Sequence, residues 1–267
     1  MDFTVIIMSL FAGGVAGFLS GLFGVGGGVV LVPLLILVYR IIGVSSLVST
    51  HLALGTTLLV SFLVSLPPAR QFVSSGRVFW NAAMFIAIAG IGGAVVGSAI
   101  AGELGAKALQ AIFAVAVLAV AVRMLAERQK PRGDSPPRTV APALSGVGFA
   151  VGLVASLTGT GGDAFLAPTL YNTMRFPLKN ATGTSGAAIT VIALAASAGY
   201  VVKGWGNVFL PGNTLGYVDF IHAIPLIIGT VAASTAGEAV ARTTNTAKFK
   251  KAFAALLIVI AALMLLL

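Results

Sequence analysis

Asp163 lies in the stretch SLTGTGGDAFLAP, residues 156 to 168, and is the one acidic residue set deep inside an apolar segment of this 267-residue chain. An ionised carboxylate buried in hydrocarbon costs about 2.5 to 3.5 kcal/mol on insertion scales, so its presence asks for a purpose. Two purposes fit: coupling to a proton or cation, or capping the end of a broken helix. His51, just ahead of LALGTT, changes charge near neutral pH and is the second coupling candidate, with hydrogen-bonded helix packing as its alternative. Thr56 and Thr57 in GTT, with Thr184 and Ser185 in GTS, could donate hydroxyl hydrogen bonds to an anion without adding a fixed charge. Such hydroxyls also bond back to their own helical turn or to a neighbouring helix. His222, near the start of an apolar run, reads as an interfacial residue.

Glycine surrounds these groups. GLFGVGGGVVLVP, residues 21 to 33, carries Gly24, Gly26, Gly27 and Gly28, and the second stretch carries Gly159, Gly161 and Gly162. Glycine lets a backbone unwind, and the helices that resume at Val29 and Ala164 would each present unpaired N–H groups. Each such N-terminus carries about half a positive charge, so two that face one another offer an anion roughly one unit of positive potential without Lys or Arg. Broken helices at membrane depth survive only where the freed backbone faces protein or a water-filled cavity. Gly13, Gly17 and Gly21 at four-residue spacing, and Gly93 with Gly97, read instead as small-residue contact faces between helices.

Several chemistries drop out. The chain has no cysteine, which removes disulfides, thiolate catalysis and cysteine-bound metal. Residues 159 to 164 fit G-x-G-x-x-A, but no strand precedes them and no acidic residue follows about 20 positions on, so dinucleotide binding is not expected. No G-x-x-x-x-G-K-[ST], G-x-S-x-G or H-E-x-x-H occurs, and no catalytic residue, metal site or cofactor is expected.

The elements that must position these residues follow from composition. With 58% hydrophobic residues, 9% charged residues and a mean hydropathy of +1.06, the chain has too little polar surface for a water-soluble globule. Charge-free runs over 46–66, 79–101, 140–157, 181–202, 220–237 and 252–267, with 105–122 interrupted only by Lys107, approach or exceed the roughly 20 residues that cross about 30 Å of hydrocarbon. The absence of a basic n-region and of a cleavage pattern makes the N-terminus part of the fold and not a signal peptide.

The chain is also a duplication. An offset of 135 aligns Leu22 with Leu157, Gly24 with Gly159, Gly26 with Gly161, Gly27 with Gly162, Leu31 with Leu166 and Pro33 with Pro168. Gly55-Thr56-Thr57 pairs with Gly183-Thr184-Ser185, and Gly93 pairs with Gly229. The boundary falls in the proline-rich basic stretch ERQKPRGDSPPR, which gives a first repeat over 1–126, a linker over 127–139 and a second repeat over 140–267. If residues 3 to 39 crossed once, Lys and Arg would divide eight to eight between the two sides. If the glycines turn that stretch and its counterpart into hairpins, the division is thirteen to three, with Arg40, Lys107 and Lys203 alone on the poorer side. The hairpin reading predicts an all-α integral membrane protein of two inverted-topology repeats, each a glycine-broken hairpin plus three transmembrane helices, with eight or more membrane segments in total. It places the linker in the cytoplasm and both termini outside it. Topology explains the net charge of +9 better than nucleic acid, for which no binding is expected.

GLFGVGGG running into LVP, GTGG running into LAP, and the trailing GTTL and GTSG resemble the sulfite exporter TauE/SafE family, also called the 4-toluene sulfonate uptake permease family. The resemblance covers essentially the whole chain. It implies a carrier of small sulfur-containing or carboxylate anions, such as sulfite, sulfonates and sulfoacetate, in a bacterial-type inner membrane. Where the family usually shows another glycine, this chain has Asp163. The expectation is a secondary carrier whose partners are a small anion and the lipid bilayer, with a homodimer as a further expectation. The anion would bind at Gly24, Gly26, Gly27, Gly28, Thr56, Thr57, Gly159, Gly161, Gly162, Thr184 and Ser185, with Asp163 and His51 coupling. The alternatives are an anion channel with the same dipole-lined constriction and, more remotely, an intramembrane enzyme.

Overall fold

The computed structural model describes residues 3–23, 26–126, 140–243 and 246–266. Ten helices and one short hairpin make up the described chain: α1 (Phe3–Phe23), α2 (Gly28–Ile41), α3 (Ser46–Ser74), α4 (Trp80–Glu103), α5 (Ala106–Ala126), α6 (Ala141–Thr158), α7 (Asp163–Asn172), α8 (Leu178–Gly204), the antiparallel pair β1 (Thr214–Leu215) and β2 (Val218–Asp219), α9 (Phe220–Thr243) and α10 (Thr246–Leu266). Seven helices are long and apolar enough to cross a membrane, and two shorter apolar ones, Gly28–Ile41 and Lys251–Leu266, accompany them. The linker over 127–139 and Gly24 lie outside the described residues.

Helices end where the local chemistry dictates. Both glycine stretches break the chain, between α1 and α2 and between α6 and α7. Ser45 caps α3 by accepting from the Leu47 N–H at 3.3 Å. Asp219 caps α9, its Oδ1 accepting from Ile221 and His222 at 3.0 and 3.2 Å. The hairpin β1–β2 and the extension of α3 through Pro67 and Pro68 to Ser74 are not marked by the charge-free run 46–66. The chain is free of charge as far as Ala69, and the helix continues past the run to Arg70 and beyond.

Packing runs largely between the two halves of the sequence. α1 packs on α9 as α6 packs on α4, while α3 pairs with α8 and α5 with α10. The first two contacts use the small-residue faces. A Cβ on Gly13, Gly17 or Gly21 would overlap the α9 backbone at Leu226, Thr230 and Ser234, and one on Gly93 or Gly97 would overlap α6 at Phe149 and Leu153. Gly97 meets the Leu153 carbonyl as Gly237 meets that of Phe18, so contact geometry pairs Gly97 with Gly237 in place of Gly93 with Gly229. α3 and α8 run antiparallel: the end of α3 meets the start of α8 where Phe72 approaches Gly186, and Gly55 near the start of α3 meets Tyr200 near the end of α8.

Candidate substrate site at the two helix breaks

The two breaks meet. A Cβ on Gly28 would lie 2.7 Å from the Thr160 Cα, and one on Gly26 would lie 2.7 Å from the Asp163 Cβ. Only glycine lets the first residue of α2 come this close to the backbone of the second break. Four of these glycines also have the positive φ that L side chains resist: Gly26 at +83°, Gly159 at +66°, Gly161 at +76° and Gly162 at +92°. Neither Gly27 nor Gly162, the residues that precede α2 and α7, carries a capping side chain, so the first N–H groups of both helices lack side-chain caps.

A cavity of about 570 Å³ opens onto this meeting point and is lined by Gly26, Gly27 and Asp163 from the breaks, by Ser61 and Ser65 from α3 and by Ser185 from α8. It extends to Gln71, Phe72, Thr182 and Glu238. Among the described residues no Lys, Arg or His lines it, and the two ionisable groups that do, Asp163 and Glu238, are acidic. Asp163 has no hydrogen-bond or ion-pair partner among the described residues, and its carboxylate is therefore open to a proton, a cation or a ligand. Among the described residues no cluster of three His, Cys, Asp or Glu could hold a metal.

A second cavity, of about 540 Å³, is lined by Ile42, Val44, Ser45, Leu210, Asn213, Asp219 and His222 among others. The two cavities lie at opposite ends of α3, whose 29 residues span about 43 Å at 1.5 Å per residue.

The structure brings only part of the sequence-expected set to the first cavity. Gly26, Gly27, Asp163 and Ser185 line it. Gly161 packs against the side chain of Ser61, its Cβ position 3.2 Å from Oγ. Gly162 packs on Val151 and Gly159 on Leu54, within the protein wall.

Thr56 and Thr184 do other work. Thr56 Oγ1 accepts from the Asp219 N–H at 3.0 Å, ahead of α9, and Thr184 Oγ1 accepts from the Phe79 N–H at 3.1 Å, ahead of α4. The glycine before each threonine fits the same junction: a Cβ on Gly55 would overlap the Tyr217 carbonyl, and one on Gly183 would overlap the Arg77 carbonyl. Each Gly-Thr pair is thus a clamp from one repeat onto the segment that starts a helix of the other. Thr57 is fully buried and its hydroxyl has no partner. His51 Nε2–H donates to the Ala101 and Leu104 carbonyls at 3.1 and 3.0 Å, at the C-terminal end of α4, and His51 lines neither cavity. An imidazole donor there satisfies carbonyls that the helix itself leaves open.

The residues that the motifs do not announce are serines and threonines of ordinary-looking helix surface. Ser20, Ser61, Ser65 and Thr230 all reach the first cavity. Ser65 shares a 2.9 Å hydrogen bond with Thr190, whereas Ser61 has no partner among the described residues. The signal that could have found them is position: Ser20 and Ser61 stand where the second repeat has Ala155 and Ile189.

Residues 9–264 match the family model described as Sulfite exporter TauE/SafE. A "Probable membrane transporter protein" of Haemophilus influenzae is 30% identical over 263 residues, covering 97% of both chains. The "Probable membrane transporter protein YunE" of Bacillus subtilis is 22% identical over 263 residues, covering 92% of this chain and 91% of its own. A "Probable membrane transporter protein" of Xylella fastidiosa is 25% identical over 203 residues, 75% of this chain and 76% of its own. The chain belongs to the sulfite exporter TauE/SafE family and is a multi-pass membrane transporter.

Proposed function

We propose that this transporter is a secondary carrier of small anions, of the sulfite, sulfonate or sulfoacetate kind, bound where the two glycine breaks meet. The observation that carries this reading is the contact of Gly26 with Asp163 and of Gly28 with Thr160 beside a cavity onto which Gly26, Gly27 and Asp163 open. An anion there is held by the N-termini of α2 and α7 and by the hydroxyls of Ser61 and Ser185. The exchange of contacts between repeats and the antiparallel pairing of α3 with α8 support two repeats of inverted topology. The thirteen-to-three charge division then puts the Asp163 cavity on the cytoplasmic side of an inner membrane and the His222 cavity outside, with both termini non-cytoplasmic.

Asp163 makes occupancy depend on a proton or cation. As a carboxylate it repels the anion in a medium of low effective dielectric; protonated, it can donate a hydrogen bond to it. Anion binding therefore raises proton affinity, and the reverse holds by linkage. The reading is tested by thermal shift of the detergent-solubilised chain against sulfite, thiosulfate, sulfonates and small carboxylates, followed by flux in proteoliposomes. A stabilising anion and saturable flux far below channel rates are expected. Unsaturable flux at channel rates would replace the carrier with a channel, and no stabilisation by any of these anions would remove the site.

A further inference from the structure

The second cavity holds a group that neither the fold nor the anion site accounts for. Asp219 and His222 are 3% and 8% exposed. Asp219 explains itself as the cap of α9 through Oδ1. Its Oδ2 contacts His222 Nδ1, which fixes the imidazole with Nδ1–H donating to the carboxylate and leaves the lone pair on Nε2. That Nε2 is buried and has no hydrogen-bond partner among the described residues. A buried polar atom without a partner is costly, and here nothing structural demands it. The first repeat shows this directly. Its corresponding junction, where Thr184 accepts from Phe79 as Thr56 accepts from Asp219, places Phe79 and Ala82 where the second repeat has Asp219 and His222. α4 starts without a polar pair, so α9 does not need His222 in order to start.

An imidazole held by a carboxylate, with a free lone pair beside a cavity, is a proton acceptor whose positive form already has its counter-charge in place. Tyr39 of α2 faces the His222 ring edge-on with centroids 5.4 Å apart, and Asp219 faces it from its own junction. Arg40 follows Tyr39 and is exposed, and among the described residues no Lys, Arg or Glu lines the cavity.

We propose that Asp219 and His222 form a second proton-binding site, at the outer cavity, separate from Asp163. A proton from the outer water adds to the Nε2 lone pair, Nδ1–H stays on Asp219, and the pair becomes imidazolium and carboxylate with no other bond made or broken. Which face of the membrane it samples rests on the topology proposed above; the presence of the site does not.

The chain has only two histidines, so nitrogen-15 NMR of histidine-labelled full-length protein in detergent reads the site directly. The expected result is one imidazole whose nitrogen-15 shifts change as it takes up a proton over a pH series. That change is lost in His222→Gln and in Asp219→Asn. Invariant His222 shifts across the series in the wild-type protein would overturn the proposal. In proteoliposomes of known orientation, the response of flux to pH on the His222 side should be reduced in His222→Gln and in His222→Ala, the latter being the residue of the first repeat. A full response in the His222 variants would overturn the assignment. Failure of the Asp163 reading is a separate result, because the histidine NMR signal is read without transport.

Discussion

The two repeats share a scaffold and differ in chemistry. What repeats is backbone: the glycine breaks, the small-residue faces of α1 and α6, and the Gly-Thr clamps that hold Asp219 and Phe79. What does not repeat is polar side chain: Ser20, Ser61, Asp163, Asp219 and His222 stand where the other half has Ala155, Ile189, Gly28, Phe79 and Ala82. Repetition therefore marks the parts that build the bundle together with Gly26, Gly27 and Ser185 at the first cavity, and the departures add further polar groups that face the two cavities. The predictions below press on that division in order of expected effect.

The largest effect belongs to the shared scaffold. Gly55→Ala puts a methyl into the Tyr217 carbonyl and Gly183→Ala puts one into that of Arg77, and in both cases the obstacle is backbone, which cannot swing aside. Overpacking of this kind costs about 1–3 kcal/mol and more where the backbone must move. Both variants should lower the melting temperature in detergent strongly and reduce the monodisperse yield. Gly14→Ala and Gly146→Ala are the matched controls, since nothing lies within 4 Å of either added Cβ, and helix propensity favours alanine there. Equal stability of Gly55→Ala and Gly14→Ala would mean that the junction is not a clamp.

The next effect belongs to the departures. Asp163→Asn keeps a hydrogen-bonding side chain but cannot ionise. Because the protonated acid is the form that accepts the anion, wild-type affinity should fall as pH rises, while the Asn variant should bind equally across the range. Anion affinity measured from about pH 5 to 8 by thermal shift checks this, and a wild-type pH slope that persists in Asp163→Asn would reduce the carboxylate to a structural group. Asp163→Ala should weaken anion binding at every pH, because no group then remains there to donate a hydrogen bond to the anion.

Ser61→Ala should raise the dissociation constant of the bound anion several-fold, in line with about 1 kcal/mol for a hydrogen bond, and leave the melting temperature of the unliganded protein unchanged, because its hydroxyl has no partner to lose. Much of this site was legible in the sequence and part was not, for one physical reason. Glycine breaks, apolar spans and small-residue faces are periodic or local features that a chain cannot hide, and the helix resuming at Ala164 was readable because the break sets its start. Ser61 and Ser20 are single hydroxyls on long helices, and only tertiary packing decides whether such a hydroxyl meets a cavity or its own turn. The same ambiguity attends Thr56 and Thr184, whose repeated hydroxyls hold the junction that both halves share.

The smallest effect compares the two clamps with each other. Thr56→Ala and Thr184→Ala each remove the acceptor of one N–H, and the cost turns on what that N–H can find instead. Asp219 is buried, so its N–H would be left without a partner, and the Tyr39 hydroxyl, 3.3 Å from Thr56 Oγ1, loses its contact as well. Phe79 is 36% exposed and precedes α4 at the bundle surface, where water or lipid headgroups can take over its N–H. A buried orphan donor costs about 1–3 kcal/mol, whereas a re-solvated one costs about 0.5–1.5 kcal/mol. Thr56→Ala should therefore lower the melting temperature more than Thr184→Ala, and both should bind the anion with wild-type affinity once corrected for the folded fraction. A selective loss of affinity in either, with stability intact, would return that threonine to the binding site and show that the scaffold itself also contributes to recognition.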